Sequence, residues 1–209
     1  MFYYMPQTWT SDNTDAVERL KIQYGTSVVY PISAMGAHVS AVPNHQVHRT
    51  TPIGMRGHVA MSGNLGYELD PAMLTAEEKS AVKHQIALYK DLRYLIQNGE
   101  FFRLRSPFQG NETAWMFVME DGSEALVAYF QVLSEPNAPL KKLRLKGLDP
   151  DCDYLVCDAD RHEDGEKLFG GDELMRVGLN LPIWKGDYRS RLYRLRRIEC
   201  RSNKKEMNP

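Results

Sequence analysis

The sequence predicts an α/β unit followed by an all-β unit, and three observations point there. Over residues 2–98, strand-like runs alternate with helical ones, the pattern of βα units on a parallel sheet. Beyond residue 100, short β-branched and aromatic runs follow one another. Turn-rich pieces such as Glu120-Asp121-Gly122-Ser123 and Glu135-Pro136-Asn137 separate them, which suggests an antiparallel sandwich. The 209 residues, 43% hydrophobic and 25% charged, are enough to bury a real core. They are too few for a (β/α)8 barrel, which takes about 250 residues, with a β unit in addition. Either the fold is smaller, or the chain is the closing part of a longer protein.

Each element has a local reason. Residues 2–11 are aromatic and β-branched and read as a strand. Residues 15–24 read as a helix with Val17, Leu20 and Tyr24 on one face and Gly25 as its stop. Residues 28–30 are a short apolar stretch before Pro31, and 32–40 read as a buried parallel strand. A loop follows at 41–52, then a short helix at 53–61 despite Gly54 and Gly57. Residues 63–70 read as a strand whose glycines allow close backbone approach. The strongest helix covers 75–98. Thr75 and Glu78 make a capping box, Val82, Ile86, Tyr89, Leu92 and Ile96 make the apolar stripe, and Gly99 ends it. Strand-like runs then fall at 101–105, 114–119, 124–133, 141–148, 154–158, 175–181 and 191–198.

The chemistry-bearing stretch is Thr8-Trp9-Thr10-Ser11-Asp12-Asn13-Thr14-Asp15. A strand running into a polar turn and then a helix is a βα junction. Carboxylates at the C-terminal mouth of such a strand sit where α/β barrels place their chemistry. Asp15, three residues before Glu18, suits a helix N-cap. Asp12 is either a solvated turn residue or a general acid/base, for which Trp9 supplies part of an apolar wall.

This stretch resembles the acid/base segment of family 36 glycoside hydrolases, the microbial α-galactosidases of melibiase type. Tyr3-Tyr4-Met5-Pro6-Gln7 leading into it, and Arg19-Leu20-Lys21-Ile22-Gln23-Tyr24-Gly25 after it, carry the resemblance. So do Pro31-Ile32-Ser33-Ala34-Met35-Gly36-Ala37-His38-Val39-Ser40, Val42-Pro43-Asn44-His45-Gln46 and Gly66-Tyr67-Glu68-Leu69-Asp70. The resemblance is strongest over residues 1–99. It implies that 1–99 are the last strands and helices of a (β/α)8 catalytic barrel, that 100–198 are an antiparallel β-sandwich, and that 199–209 are a polar tail. It implies retaining hydrolysis of terminal α-galactosides of the melibiose and raffinose type, with no cofactor and a homo-oligomeric parent, tetrameric in many relatives. Asp12 matches the acid/base, and Trp9 and Ser11 fall near the substrate. The nucleophile's Lys-Trp-Asp type motif and the Cys/Gly-rich segment upstream are absent from these residues, so this piece alone is expected to be inactive. Met1 falls where the family has an internal residue, which reads as a truncation. Two other readings stand beside it: a non-catalytic carbohydrate-associated module or remnant, and galactosyl transfer of the raffinose synthase type. The run from Trp9 to Asp15 favours hydrolysis.

Composition narrows the partners. A net charge of -1 argues against a dedicated nucleic-acid binder. The apolar run 125–130 is too short to cross a membrane, and no signal peptide is expected from the first residues given. The crowded arginines of 189–197 alternate partly with apolar residues, as in a strand with one solvated face. Cys152, Cys157 and Cys200 fit neither a disulfide framework nor a zinc motif, so reduced thiols in a cytoplasmic protein are expected. His38, His45, His48 and His58 lack a zinc spacing, and no metal is expected. Asp70 before Pro71 reads as a turn former.

Overall fold

The computed structural model describes residues 3–160 and 165–200. Its first part is a small parallel sheet with helices. Strand β1 (Gly36–Ser40) pairs in parallel with β2 (Asn64–Glu68). Helices α1 (Ala16–Thr26), α2 (Ile53–Met61) and α3 (Ala76–Asn98) follow the successive extended segments. The strand expected at 2–11 is reduced to one parallel bridge, Thr8 to Met35, with Thr8 N–H donating to Ala34 O at 2.7 Å. The segment is extended but pairs on one side only, so no ladder builds up. The run 32–40 opens with a 3-10 turn, Ile32–Ala34, before β1 begins.

Caps behave as their chemistry dictates. Asp15 Oδ2 accepts from Glu18 N at 3.0 Å and starts α1. Thr75 and Glu78 form the reciprocal capping box of α3, and Gly99 is its C-cap. Helix α1 runs through Gly25 to Thr26 rather than stopping before it. The buried stripe of α3 is Leu88, Tyr89, Leu92, Leu95 and Ile96, with Ile86 36% exposed. Gln85 takes the buried place one turn earlier. Its Nε2 donates to Ile53 O at 2.8 Å and its Oε1 accepts from Tyr67 O–H at 2.9 Å. A Cβ on Gly57 would lie 2.2 Å from that amide, so the glycine in α2 makes room for it.

The second part is a six-stranded antiparallel sheet in the order β3-β4-β5-β10-β7-β8. The strands are β3 (Glu100–Arg105), β4 (Glu112–Val118), β5 (Glu124–Gln131), β7 (Cys152–Asp158), β8 (Lys167–Gly170) and β10 (Arg189–Cys200). A two-stranded ribbon, β6 (Lys142–Leu143) with β9 (Leu179–Asn180), lies apart from it in pairing. Both faces of the large sheet are covered, so β4 and β5 are almost wholly buried. On one face Trp115, Phe117, Leu126, Ala128, Phe130 and Leu192 share a core with helices α1, α2 and α3. On the other, Met116, Val127, Tyr129, Tyr154 and Leu195 pack with Leu143, Leu179 and Leu181 of the ribbon region. Period-2 alternation therefore sends apolar residues both ways.

Three expectations for this part need correction. Of 141–148, only Lys142–Leu143 pairs as a strand, because the chain turns at Gly147, whose φ is +72°. Of 175–181, the first residues belong to helix α4 (Gly171–Arg176), after which the chain turns at Gly178 with φ +97°. Cys152 and Cys200 stand opposite each other in the β7–β10 register and form a disulfide, while Cys157 stays free. Strand β8 has no counterpart in the sequence reading. The tail expected at 199–209 lies outside the described residues beyond Cys200, which itself ends β10. Among the described residues no helix is long and apolar enough to cross a membrane.

A histidine–carboxylate cluster joins the two parts. Asp160, just beyond β7, accepts from His84 Nε2 of α3 at 2.8 Å and lies 3.6 Å from His58 Nε2 of α2, an ion-pair distance. His58 Nδ1 in turn meets Ser190 Oγ of β10 at 2.9 Å. His58, and then His84, pull the Asp160 carboxyl down to about 2 against the opposing effect of burial. A depressed carboxyl stabilises the fold above its unfolded pKa, near 4, and that contribution is lost as pH falls toward 2. We expect Asp160→Asn to cost about 2 kcal/mol at pH 6. Urea denaturation midpoints of the two proteins should converge as pH drops from 4 to 2. A pH-independent gap would exclude this role.

Candidate active site

The parallel segments end on one rim, and the loop after Thr8 carries Asp12 there. Its side chain is exposed, and its Oδ1 accepts from Trp9 Nε1 at 2.9 Å. The loop is built from short-range bonds. Ser11 Oγ accepts from Asn13 N at 3.1 Å, and Asn13 Oδ1 accepts from Asp15 N at 3.0 Å. Asp15 is buried and also pairs with Arg49. It is therefore structural, as its cap position suggested.

The loop at 41–52 braces this turn from the side. Ser40 Oγ donates to Thr14 O at 3.2 Å, and Asn44 Nδ2 donates to Thr14 Oγ1 at 3.4 Å. Gln46 Nε2 reaches the Asp12 carbonyl at 3.5 Å. From below, buried Arg19 donates to Thr10 Oγ1 and to Gly36 O, both at 2.7 Å, and to Gln23 Oε1 at 3.2 Å. Burial pushes its guanidinium down to about 10. Each of these acceptors is neutral, so Arg19 fixes the base of the loop without cancelling its charge.

His38 of β1 packs against Trp9, with ring centroids 4.4 Å apart and planes tilted by 37°. A Cβ on Gly66 would fall 2.5 Å from the His38 ring, so β2 must carry a glycine there. Burial, the larger effect, lowers the His38 pKa; Arg19 adds to this and Glu68 opposes it. Below 6.5, that places a neutral imidazole against the indole at neutral pH.

Of the residues singled out from sequence, Trp9 and Asp12 come into direct contact, and Ser11 serves the turn between them and the helix. His45 and His48 are exposed on the 41–52 loop, and His58 sits at the junction with the large sheet. Asp70 Oδ1 accepts from Ala72 N at 2.8 Å, as a turn former should. Among the described residues, the group with metal-ligand spacing is Asp149, Cys152 and Cys200, and its two sulfurs are bonded to each other. The bracing roles of Arg19, Asn44 and Gln46 carry no local sequence signal, because their bonds to the loop and to β1 span from 9 to 34 positions.

The melibiase family model matches residues 1–99, and the model of the glycosyl hydrolase family 36 C-terminal domain matches residues 112–195. The chain belongs to glycoside hydrolase family 36. Among its family 36 relatives, α-galactosidase AgaA of Geobacillus stearothermophilus is 63% identical over 199 residues, covering 95% of this chain and 26% of that protein. α-Galactosidase 1 of Pediococcus pentosaceus is 47% identical, with 95% and 26% coverage. A crystal structure of an AgaA variant in complex with raffinose superposes with a TM-score of 0.89 at 63% identity, covering 95% of this chain and 27% of that one. The chain thus spans about a quarter of the length of the curated family 36 relatives it matches.

Proposed function

We propose that these residues belong to a retaining α-galactosidase, with Asp12 as its general acid/base. In this reading 1–99 close a (β/α)8 barrel, 100–198 form the C-terminal β-sandwich, and the nucleophilic carboxylate lies in a part of the protein outside these residues. The observation that carries it is Asp12 itself. It is exposed at the C-terminal rim of the parallel segments and gripped by one donor, within a family 36 match. The substrate class is the terminal α-galactoside, raffinose being the sugar bound by the AgaA variant.

The mechanism follows from retention. The nucleophile's carboxylate bonds to the anomeric carbon as the glycosidic C–O bond breaks, and Asp12 gives its proton to the leaving oxygen. Asp12, now ionised, takes a proton from water as that water attacks the same carbon and frees the nucleophile. Trp9 and Ser11 line the approach to this carboxyl. The full-length protein is proposed to be a cytoplasmic homo-oligomer that needs no cofactor, on the family resemblance alone.

Raffinose hydrolysis by a full-length protein carrying these residues, beside the 209-residue chain alone, tests the assignment. The full-length protein should release galactose first as the α anomer, by proton NMR. The isolated chain should show no turnover, because no covalent intermediate forms without the nucleophile. Initial release of the β anomer would rule out retention, and turnover by the isolated chain would rule out an external nucleophile.

A further inference from the structure

We infer that Trp9 is a positioning residue for the reaction: its indole N–H fixes one carboxyl oxygen of Asp12, leaving the other to face the glycosidic oxygen. This rests on the acid/base reading of Asp12 above. An exposed aspartate on a turn rotates freely, and a carboxyl presents two equivalent oxygens. Here the symmetry is broken by a single strong donor, Trp9 Nε1 to Oδ1 at 2.9 Å. When Asp12 is protonated, the carbonyl-type oxygen is the better acceptor for the indole N–H. The proton then resides on Oδ2, the oxygen free to deliver it.

The indole is itself held in place. Its ring lies against His38 at 4.4 Å, and His38 is seated over Gly66, where no Cβ fits. Gly36 stands on its other side, with an added Cβ 3.3 Å from the imidazole and 2.9 Å from Gln7 Nε2. Two strand glycines thus make the seat for His38, His38 backs Trp9, and Trp9 sets Asp12. The tilted His38 ring takes up space against the indole, while Trp9 stays 52% exposed. Trp9 acts here through its N–H edge on the acid rather than by offering a face to a sugar ring, the usual use of an aromatic beside a glycoside.

The test is Trp9→Phe in the full-length protein, with kcat/KM measured on raffinose and on 4-nitrophenyl α-galactoside. The ratio kcat/KM reports the first chemical step. Raffinose has a poor leaving group and needs a well-aimed proton, so its kcat/KM should fall about 10-fold or more. The activated aryl substrate should lose about 3-fold or less, and the inhibition constant of galactose should stay the same. Equal losses on both substrates, or a loss confined to KM, would overturn the inference and return Trp9 to sugar stacking. If the Phe variant is unstable, replacing Trp9 with benzothienylalanine keeps the shape and removes only the N–H; the same selective loss is expected. Asp12→Asn, assayed in parallel, separates the two claims. If it too lacks selectivity, the acid/base reading fails; if it is selective and the Trp9 variants are not, only the positioning role fails.

Discussion

Asp12→Asn in a full-length protein carrying these residues is expected to lower kcat/KM on raffinose by about 10²–10⁴-fold, the usual contribution of a positioned general acid. An amide cannot protonate the fructosyl-glucose leaving group, so an alkoxide of high basicity would have to depart unaided. On 4-nitrophenyl α-galactoside the same variant should lose far less at this step, because nitrophenolate leaves without a proton. Its second step should then stall, since water needs a base. Azide needs none, and should restore turnover while giving α-galactosyl azide, from attack on the face that water normally uses. Equal losses on both substrates, with no azide product, would remove Asp12 from the acid/base role. The carboxyl is exposed and tied to its surroundings by one indole bond, so the exchange should leave the fold intact.

Trp115→Ala is expected to be the costliest substitution for stability, about 3–5 kcal/mol, as for other fully buried large aromatics. Trp115 sits on β4 in the face of the sheet that packs on the helices, 5.0 Å from the Phe130 ring and 6.3 Å from the Phe101 ring. Its Nε1 donates to Ser62 Oγ at 2.8 Å, at the end of α2. Truncation would open a cavity between the two parts of the chain and leave the buried Ser62 hydroxyl short of a partner. Trp115→Phe keeps most of the apolar surface and should cost about 1–3 kcal/mol for the hydrogen bond alone. Urea unfolding should rank the three proteins in that order. Indistinguishable Ala and Phe variants would mean that the hydrogen bond, not the packing, carries the site.

What could be read from the sequence was local. The Thr75–Glu78 capping box, the Asp15 N-cap and the bounds of α2 rest on contacts within a few residues, and these came out where expected. What could not be read depended on register. Cys152 and Cys200 are 48 positions apart and become neighbours only once β10 pairs with β7. Gln85 broke the apolar stripe of α3 because its two partners, Ile53 O and Tyr67 O–H, lie on α2 and β2. The same holds at the site. Asp12 and Trp9 are three residues apart and were singled out together, whereas the His38 backing required the parallel alignment of Thr8 with Met35. The arginine-rich run was legible as a strand, but its expected solvated face was not found: at the centre of the sheet Leu192 packs on one side and Tyr193 and Leu195 on the other.

That place has a consequence for synthesis. Strand β10 is the last of the described strands to leave the ribosome, yet it is the one that both β5 and β7 pair with. Until it emerges, two largely apolar strands wait with bare backbone edges, the condition under which nascent chains cross-pair and aggregate. Nucleation from the N-terminal end therefore cannot finish this sheet. Strands β3, β4 and β5, and the pair β7 and β8, can align earlier, but they join into one sheet only after residues 189–200 have been translated.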